Sequence, residues 1–237
     1  MRSVYLLTLR QLSGRWRLVI MTVLASLPII MAVLTLRDDD APSTAQFDIV
    51  VLSSMLVGSI LPLIVLATGA AAFSNEIEDR TIANLTLAPI PRWQILVPKL
   101  LATITLAAPF IAVSAFVTSH VAFLADGRAT MAVVIASVAA VALYASAFTW
   151  LGLVSTQAIG IGLLYIVLWE GLFAGFVAGV RLLSIRHYAI GIMHGLDPRR
   201  FAQGSHLGFV PVIVVSLAVF SLFAFLSIRR LRRMDIP

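Results

Sequence analysis

Three carboxylates, Glu76, Glu78 and Asp79, fall within four positions of a chain that has eleven acids in all. Carboxylates gathered this way complement the positive end of a helix or meet a basic partner; they are costly to leave beside apolar groups. A second acid of interest is Glu170, set in the apolar run LLYIVLWEGLFAGF. An ionised group at that depth is expensive unless paired or hydrated. It reads either as a cation- or proton-sensitive group in a pathway or as a hydrogen-bonded structural glutamate at a helix break beside Gly171. His187, His194 and His206 follow no zinc-binding spacing and have no carboxylate cluster beside them, so no metal is expected there. Serine nucleophile chemistry needs a G-x-S-x-[GF] setting and a histidine in another helix; the serines lack that setting, and His120 has no evident partner. The chain has no G-x-x-x-x-G-K-[ST] phosphate loop, and its one lysine is Lys99. Without cysteine, disulfides and thiolate chemistry are excluded. No catalytic residue and no bound cofactor is expected on this chain.

The elements that must position these residues are set by the solvent. Hydrophobic residues make up 60% of the chain and charged residues 12%. A water-soluble domain carries about 25% charged residues, so most of this surface is expected to face lipid. The net charge of +6 does not point to nucleic acid, because the basic residues flank apolar runs instead of lining one polar face. Six runs are long enough to span a bilayer: 18–36, 49–73, 100–124, 131–154, 159–180 and 207–228. Each must be helical to satisfy its own backbone in lipid. Pro28, Pro62 and Pro109 lie within them, where packed membrane helices tolerate a kink. The halves 1–118 and 119–237 show no match of the kind expected for a secondary transporter.

Arginine placement sets the expected orientation. Arg2, Arg10, Arg15 and Arg17 precede the first run, and Arg229, Arg230, Arg232 and Arg233 follow the last. The loop after the first run is acidic, with Asp38, Asp39, Asp40 and Asp48. Both termini and the 74–99 segment are therefore expected on the cytoplasmic side. The loop 181–206 argues back, since it carries Arg181, Arg186, Arg199 and Arg200 yet falls outside. The apolar core of the first run is longer than that of a signal peptide and no small-residue cleavage site clearly follows, so it reads as a retained span. Ahead of it, Tyr5, Leu9, Leu12 and Trp16 share a helical stripe. Residues 1–16 read as an amphipathic helix on the inner leaflet or as an extension of the first span.

In the 74–99 segment, Ser74 or Asn75 is placed to cap a helix with Glu76, Glu78 and Asp79 in its first turn. It would stop near Ala88, ahead of Pro89-Ile90-Pro91. Arg92 and Trp93 suit a water–lipid boundary, and Lys99 marks re-entry into the third span. The alternative is an ordinary solvated hairpin, although a plain connector needs only about 2–8 residues.

The run Glu76-x-Glu78-Asp79-Arg80-Thr81, then Leu85, Leu87, Pro89, Pro91-Arg92-Trp93 and Lys99, resembles the signature of the type-2 ABC exporter permeases. It departs where that family often has glycine before threonine: Arg80 precedes Thr81, and Ile82-Ala83-Asn84 interrupts the Thr-Leu step. The resemblance implies an all-α integral membrane protein in the cell (inner or plasma) membrane. It would have six spans, an N-terminal interfacial helix, a cytoplasmic coupling helix between spans 2 and 3, and short extracellular helices before span 6. It further implies a separate phosphate-loop ATPase holding ATP and Mg, and a second permease copy or paralogue. The ATPase-coupling residues would be Glu76, Glu78, Asp79, Arg80, Thr81, Leu85, Pro89, Arg92 and Trp93. Within SIRHYAIGIMHGLDPRRF, Ile185, Ala189, Ile192 and Met193 share a helical face that Leu196-Asp197-Pro198 ends. The resemblance makes Tyr188, Ile192 and Met193 candidates for an extracellular gate. The implied function is export of a small molecule, drug-like or lipidic. Rivals are a haem-exporter-type permease of cytochrome maturation, a channel-like accessory subunit, or a six-span intramembrane enzyme.

The orientation is tested on this cysteine-free chain by single substitutions. Cysteine at Glu78 should label with an impermeant maleimide only after the membrane is opened, whereas cysteine at Asp39 should label in intact cells. The reverse pattern would refute the assignment.

Overall fold

In a computed structural model, residues 2–35, 44–78, 91–124, 126–173, 184–201 and 208–233 are described. They are helical with short turns, and they begin with α1 (Arg2–Leu12) and α2 (Arg15–Thr35). Next come α3 (Thr44–Phe47), a π-helical stretch π1 (Asp48–Ile60), α4 (Leu61–Gly69) and α5 (Ala71–Glu78). Two long helices follow, α6 (Trp93–Ala122) and α7 (Gly127–Val154). The rest comprises α8 (Ala158–Leu164), a second π stretch π2 (Tyr165–Phe173), α9 (Ile185–Leu196) and α10 (Phe209–Arg233).

Among the described residues, five helical segments are long and apolar enough to cross a membrane: 15–35, 48–74, 93–122, 127–154 and 209–233. The fifth run expected from sequence, 159–180, is described only as far as Phe173 and forms a shorter apolar helix. Its remainder lies outside the described residues. Several boundaries move, with the first span beginning at Arg15 and the fourth at Gly127. The third span begins at Trp93 instead of Leu100, and the last continues through its arginines to Arg233. Pro28 and Pro109 lie inside α2 and α6, and Pro62 stands at the start of α4.

The centre of the bundle is α7, which packs against α4, α5, α6, α9 and α10. Its sequence explains why. Ala129, Ala132, Ala136 and Ala140 recur at helical spacing and are buried, as are Ser137, Ala145 and Gly152. Small side chains let neighbouring backbones approach closely, and dispersion then replaces the hydrophobic effect that lipid cannot supply. At Gly152 the approach is extreme, since an added Cβ would overlap the backbone of Ala70. By contrast, α2 and α10 leave Val23, Leu27, Val214 and Leu217 exposed.

The stripe expected in residues 1–16 is interrupted at Ser13-Gly14. Thr8 and Leu12 are the buried residues of α1, whereas Trp16 belongs to α2 and is 82% exposed. Packing of α1 onto α6 turns Val4, Thr8 and Leu12 inward, one turn apart.

A second apolar cluster closes one end of the bundle. It joins Leu12, Phe73, Ile95, Leu96, Leu153 and Leu231. The stem of α1, the end of α5, the start of α6 and the end of α10 therefore share that end. At the other end Arg200 pairs with Asp48 at 3.5 Å and lies 4.4 Å over the Phe123 ring. There too Arg128 donates to the Leu196 carbonyl at 3.1 Å.

Gly152→Ala should cost roughly 1–3 kcal/mol through overpacking, while Gly160→Ala, with open space around it, should stay within about 0.5 kcal/mol. Thermal unfolding of the purified chain in detergent measures both.

Candidate functional site

Two polar junctions stand out, one toward each end of the bundle. The first joins α5 to α6. Helix α5 carries on from α4 after a turn at Ala70, so Ser74 is interior to it: its N–H bonds the Ala70 carbonyl at 3.1 Å. The expected cap at Ser74 or Asn75 is thus replaced by helix, because this helix already starts at Ala71, three residues before Ser74. Glu76 projects from this helix toward α6 and meets Lys99 at 2.5 Å. The ammonium also donates to the Ala72 carbonyl at 2.5 Å and sits 4.3 Å over the Phe73 ring.

Lys99 does not mark a water boundary. It lies in the second turn of α6 and is fully buried, with all of these contacts made to α5. Trp93, at the start of α6, is 46% exposed, as a boundary residue would be. Arg92 directly precedes that helix. Glu78 closes α5, and its side chain lies outside the described residues, as do Asp79, Arg80, Thr81, Leu85 and Pro89.

The second junction is built around Glu170. Its side chain is fully buried in π2 and accepts three hydrogen bonds. Tyr165 Oη donates at 2.9 Å and the Ile185 N–H at 3.1 Å, both to Oε1. Ser184 Oγ donates to Oε2 at 2.5 Å. That serine is also the N-cap of α9, accepting from the His187 N–H at 3.3 Å. Glu170 therefore holds the first turn of α9 from two positions.

Arg186, the next residue, completes the knot. Its guanidinium donates to Ser53 Oγ at 3.0 Å and Ser54 Oγ at 2.9 Å in π1, and to the Glu170 carbonyl at 3.5 Å. Burial pulls the guanidinium below its usual value, and the charge on Glu170 opposes this. Gly58 makes room for it: a Cβ there would sit 3.1 Å from Arg186 Cδ. Both π stretches, a rare geometry often found at functional sites, thus meet at one arginine.

The gate candidates Tyr188, Ile192 and Met193 are buried along the inner face of α9, which packs on α7 and α10. The helix ends at Asp197, as the Leu-Asp-Pro signal implies. His194 Nδ1 donates to the Phe201 carbonyl at 2.9 Å, and His206 lies outside the described residues. Sequence reasoning missed Ser53, Ser54, Tyr165, Ser184 and Arg186. The one available signal was the arginine excess of loop 181–206. Arg186 and Arg200 are partly buried and bonded to other elements, Arg186 to π1 and Arg200 to Asp48.

Apolar helices around a small-residue hub, with Lys99, Glu170 and Arg186 bonded across helix interfaces, define an integral membrane protein. The sequence profile of the ABC-2 family transporter proteins matches residues 7–185. The chain belongs to that family, which makes it a permease subunit of an ABC transporter. No curated protein matches it closely enough to count as a relative.

Removing the Glu170 carboxylate leaves three donors unsatisfied. Glu170→Ala should cost about 3 kcal/mol or more, and Glu170→Gln less because its amide oxygen still accepts. Thermal unfolding measures the loss, and faster maleimide labelling of a cysteine at Ile190 would report release of α9.

Proposed function

We propose that the chain forms the translocation pathway of an ABC exporter as one of two permease copies, driven by a separate phosphate-loop ATPase. In this reading it crosses the membrane six times with both termini in the cytoplasm, and it carries out a small, drug-like or lipidic molecule. ATP and Mg belong to the partner, and this chain holds no cofactor.

The observation that carries the reading is the α5–α6 junction. The helices on either side of residues 79–90, α5 and α6, are pinned together at the bundle end where α1 and the end of α10 also pack. A connection entered through Glu78 and Asp79 and set on a rigid base suits a surface pressed by a partner. Since Glu76 is engaged by Lys99, Glu78 and Asp79 are the acids assigned to docking, with Arg80, Thr81, Leu85, Pro89, Arg92 and Trp93 shaping the contact. At the other end α9, with Tyr188, Ile192 and Met193 facing inward, serves as the outer gate. Glu170 and Arg186 hold its first turn.

Close interfacial charge pairs contribute more than about 1.5 kcal/mol, whereas exposed ones contribute about 0–1. A Glu78→Lys/Asp79→Lys double reversal should therefore weaken ATPase capture by roughly tenfold or more. Asp38→Lys in the first outer loop should leave capture unchanged. Affinity capture of the ATPase from solubilised membranes, normalised to permease amount, measures both; equal capture by all three chains would refute docking at the acidic segment.

A further inference from the structure

Lys99 and Glu76 sit at the base of the docking segment, yet neither points out of the bundle. The lysine belongs to α6, and its ammonium spends its donors on α5: one on the Glu76 carboxylate, one on the Ala72 carbonyl. The Phe73 ring covers it at 4.3 Å. Two of the three N–H donors of the ammonium are thus used on a single helix, which also supplies the ring above it. The side chain has no exposed area.

Stability alone does not account for this arrangement. Apolar side chains of the same volume hold two helices together at least as well as a buried ion pair, whose desolvation offsets much of its attraction. What apolar contacts lack is direction. Methyl groups on two helices can slide past one another by a fraction of a turn at little cost. A carboxylate, a carbonyl and a ring fixed on α5 admit one position for the Lys99 head group. Around the pair, Phe73, Ile95 and Leu96 pack with Leu12, Leu153 and Leu231, so a displacement of these stems is passed to α1, α7 and α10.

We propose that Lys99, through Glu76, is a positioning residue that makes the two stems of the docking segment move as one body. A push from the partner ATPase then reaches the bundle as a rigid displacement instead of being absorbed by a slip between α5 and α6. This rests on the reading that the 74–99 segment docks an ATPase. It assigns to Lys99 a role in transmission, separate from docking.

The test uses the permease purified with its ATPase and reconstituted in vesicles. A single cysteine at Ile190 on α9 reports the outer end through its maleimide labelling rate, with and without ATP and vanadate. The readout is the ATP-driven change in that rate per captured ATPase. Lys99→Met should reduce it about fivefold or more while ATPase capture stays within about twofold, and Lys99→Arg, which keeps the charge, should restore it. Should Lys99→Met fail to reach the membrane, Glu76→Gln/Lys99→Met leaves no uncompensated charge and reads the same ratio. An unchanged response in these methionine variants would overturn the proposal, because the pair would then be structural only. Loss of response in step with loss of capture would also overturn it, making Lys99 part of docking. The unsubstituted chain separates the two readings: if it captures no ATPase or shows no ATP-driven change, the docking reading fails and the positioning role falls with it.

Discussion

A polar group buried in lipid has no water to return to, and this constraint shapes the molecule at every scale. It is met first by a group of helix hydroxyls. Thr22, Thr35, Thr68, Thr103 and Ser119 each donate to a carbonyl one turn back on their own helix. In π1 the same need is met with a longer reach, since Ser54 and Ser59 bond carbonyls five residues earlier. It decides next where charges go. Lys99, Glu170 and Arg186 are all bonded inside the bundle, each across an interface between elements distant in sequence. Polar satisfaction and tertiary contact are here the same event.

Close packing around α7 makes these long-range bonds dependable. Its small residues bring α4 and α5 so near that the Gly152 position touches the Ala70 backbone. Interiors at this density do not deform smoothly; they shift between discrete arrangements. A junction built on such a hub has a defined geometry, and directional bonds can be added where they discriminate between registers.

Span 2 is the element both junctions share. Its first part, π1, receives Arg186 through Ser53 and Ser54, and its last part, α5, carries Glu76. The helical run from Asp48 to Glu78 therefore touches the α9 junction near one end and the lysine lock at the other. For a transporter, a stiff element in contact with both faces is the simplest physical link between an inner event and an outer one.

Sequence alone determined the solvent, the helical class and most of the crossing segments, because apolar run length reports directly on lipid thickness. It also determined that α9 is a helix with an inward face ending at Asp197, a local pattern of spacing and breaker residues. It marked Glu76, Lys99 and Glu170 as unusual for their setting, and the 74–99 segment as the place of resemblance to a permease family. What it could not determine was partnership. Whether Glu76 faces a foreign surface or Lys99, and whether Glu170 stands in a pathway or holds the cap of α9, depends on residues 23 and 14 positions away. Those distances are closed only by the packing of helices on α7, which no local periodicity encodes. The arginine-rich loop that argued against the expected topology is the clearest case. Arg186 and Arg200 count as surface charge in a sequence, and only the fold brings them, partly buried, onto Ser53, Ser54 and Asp48.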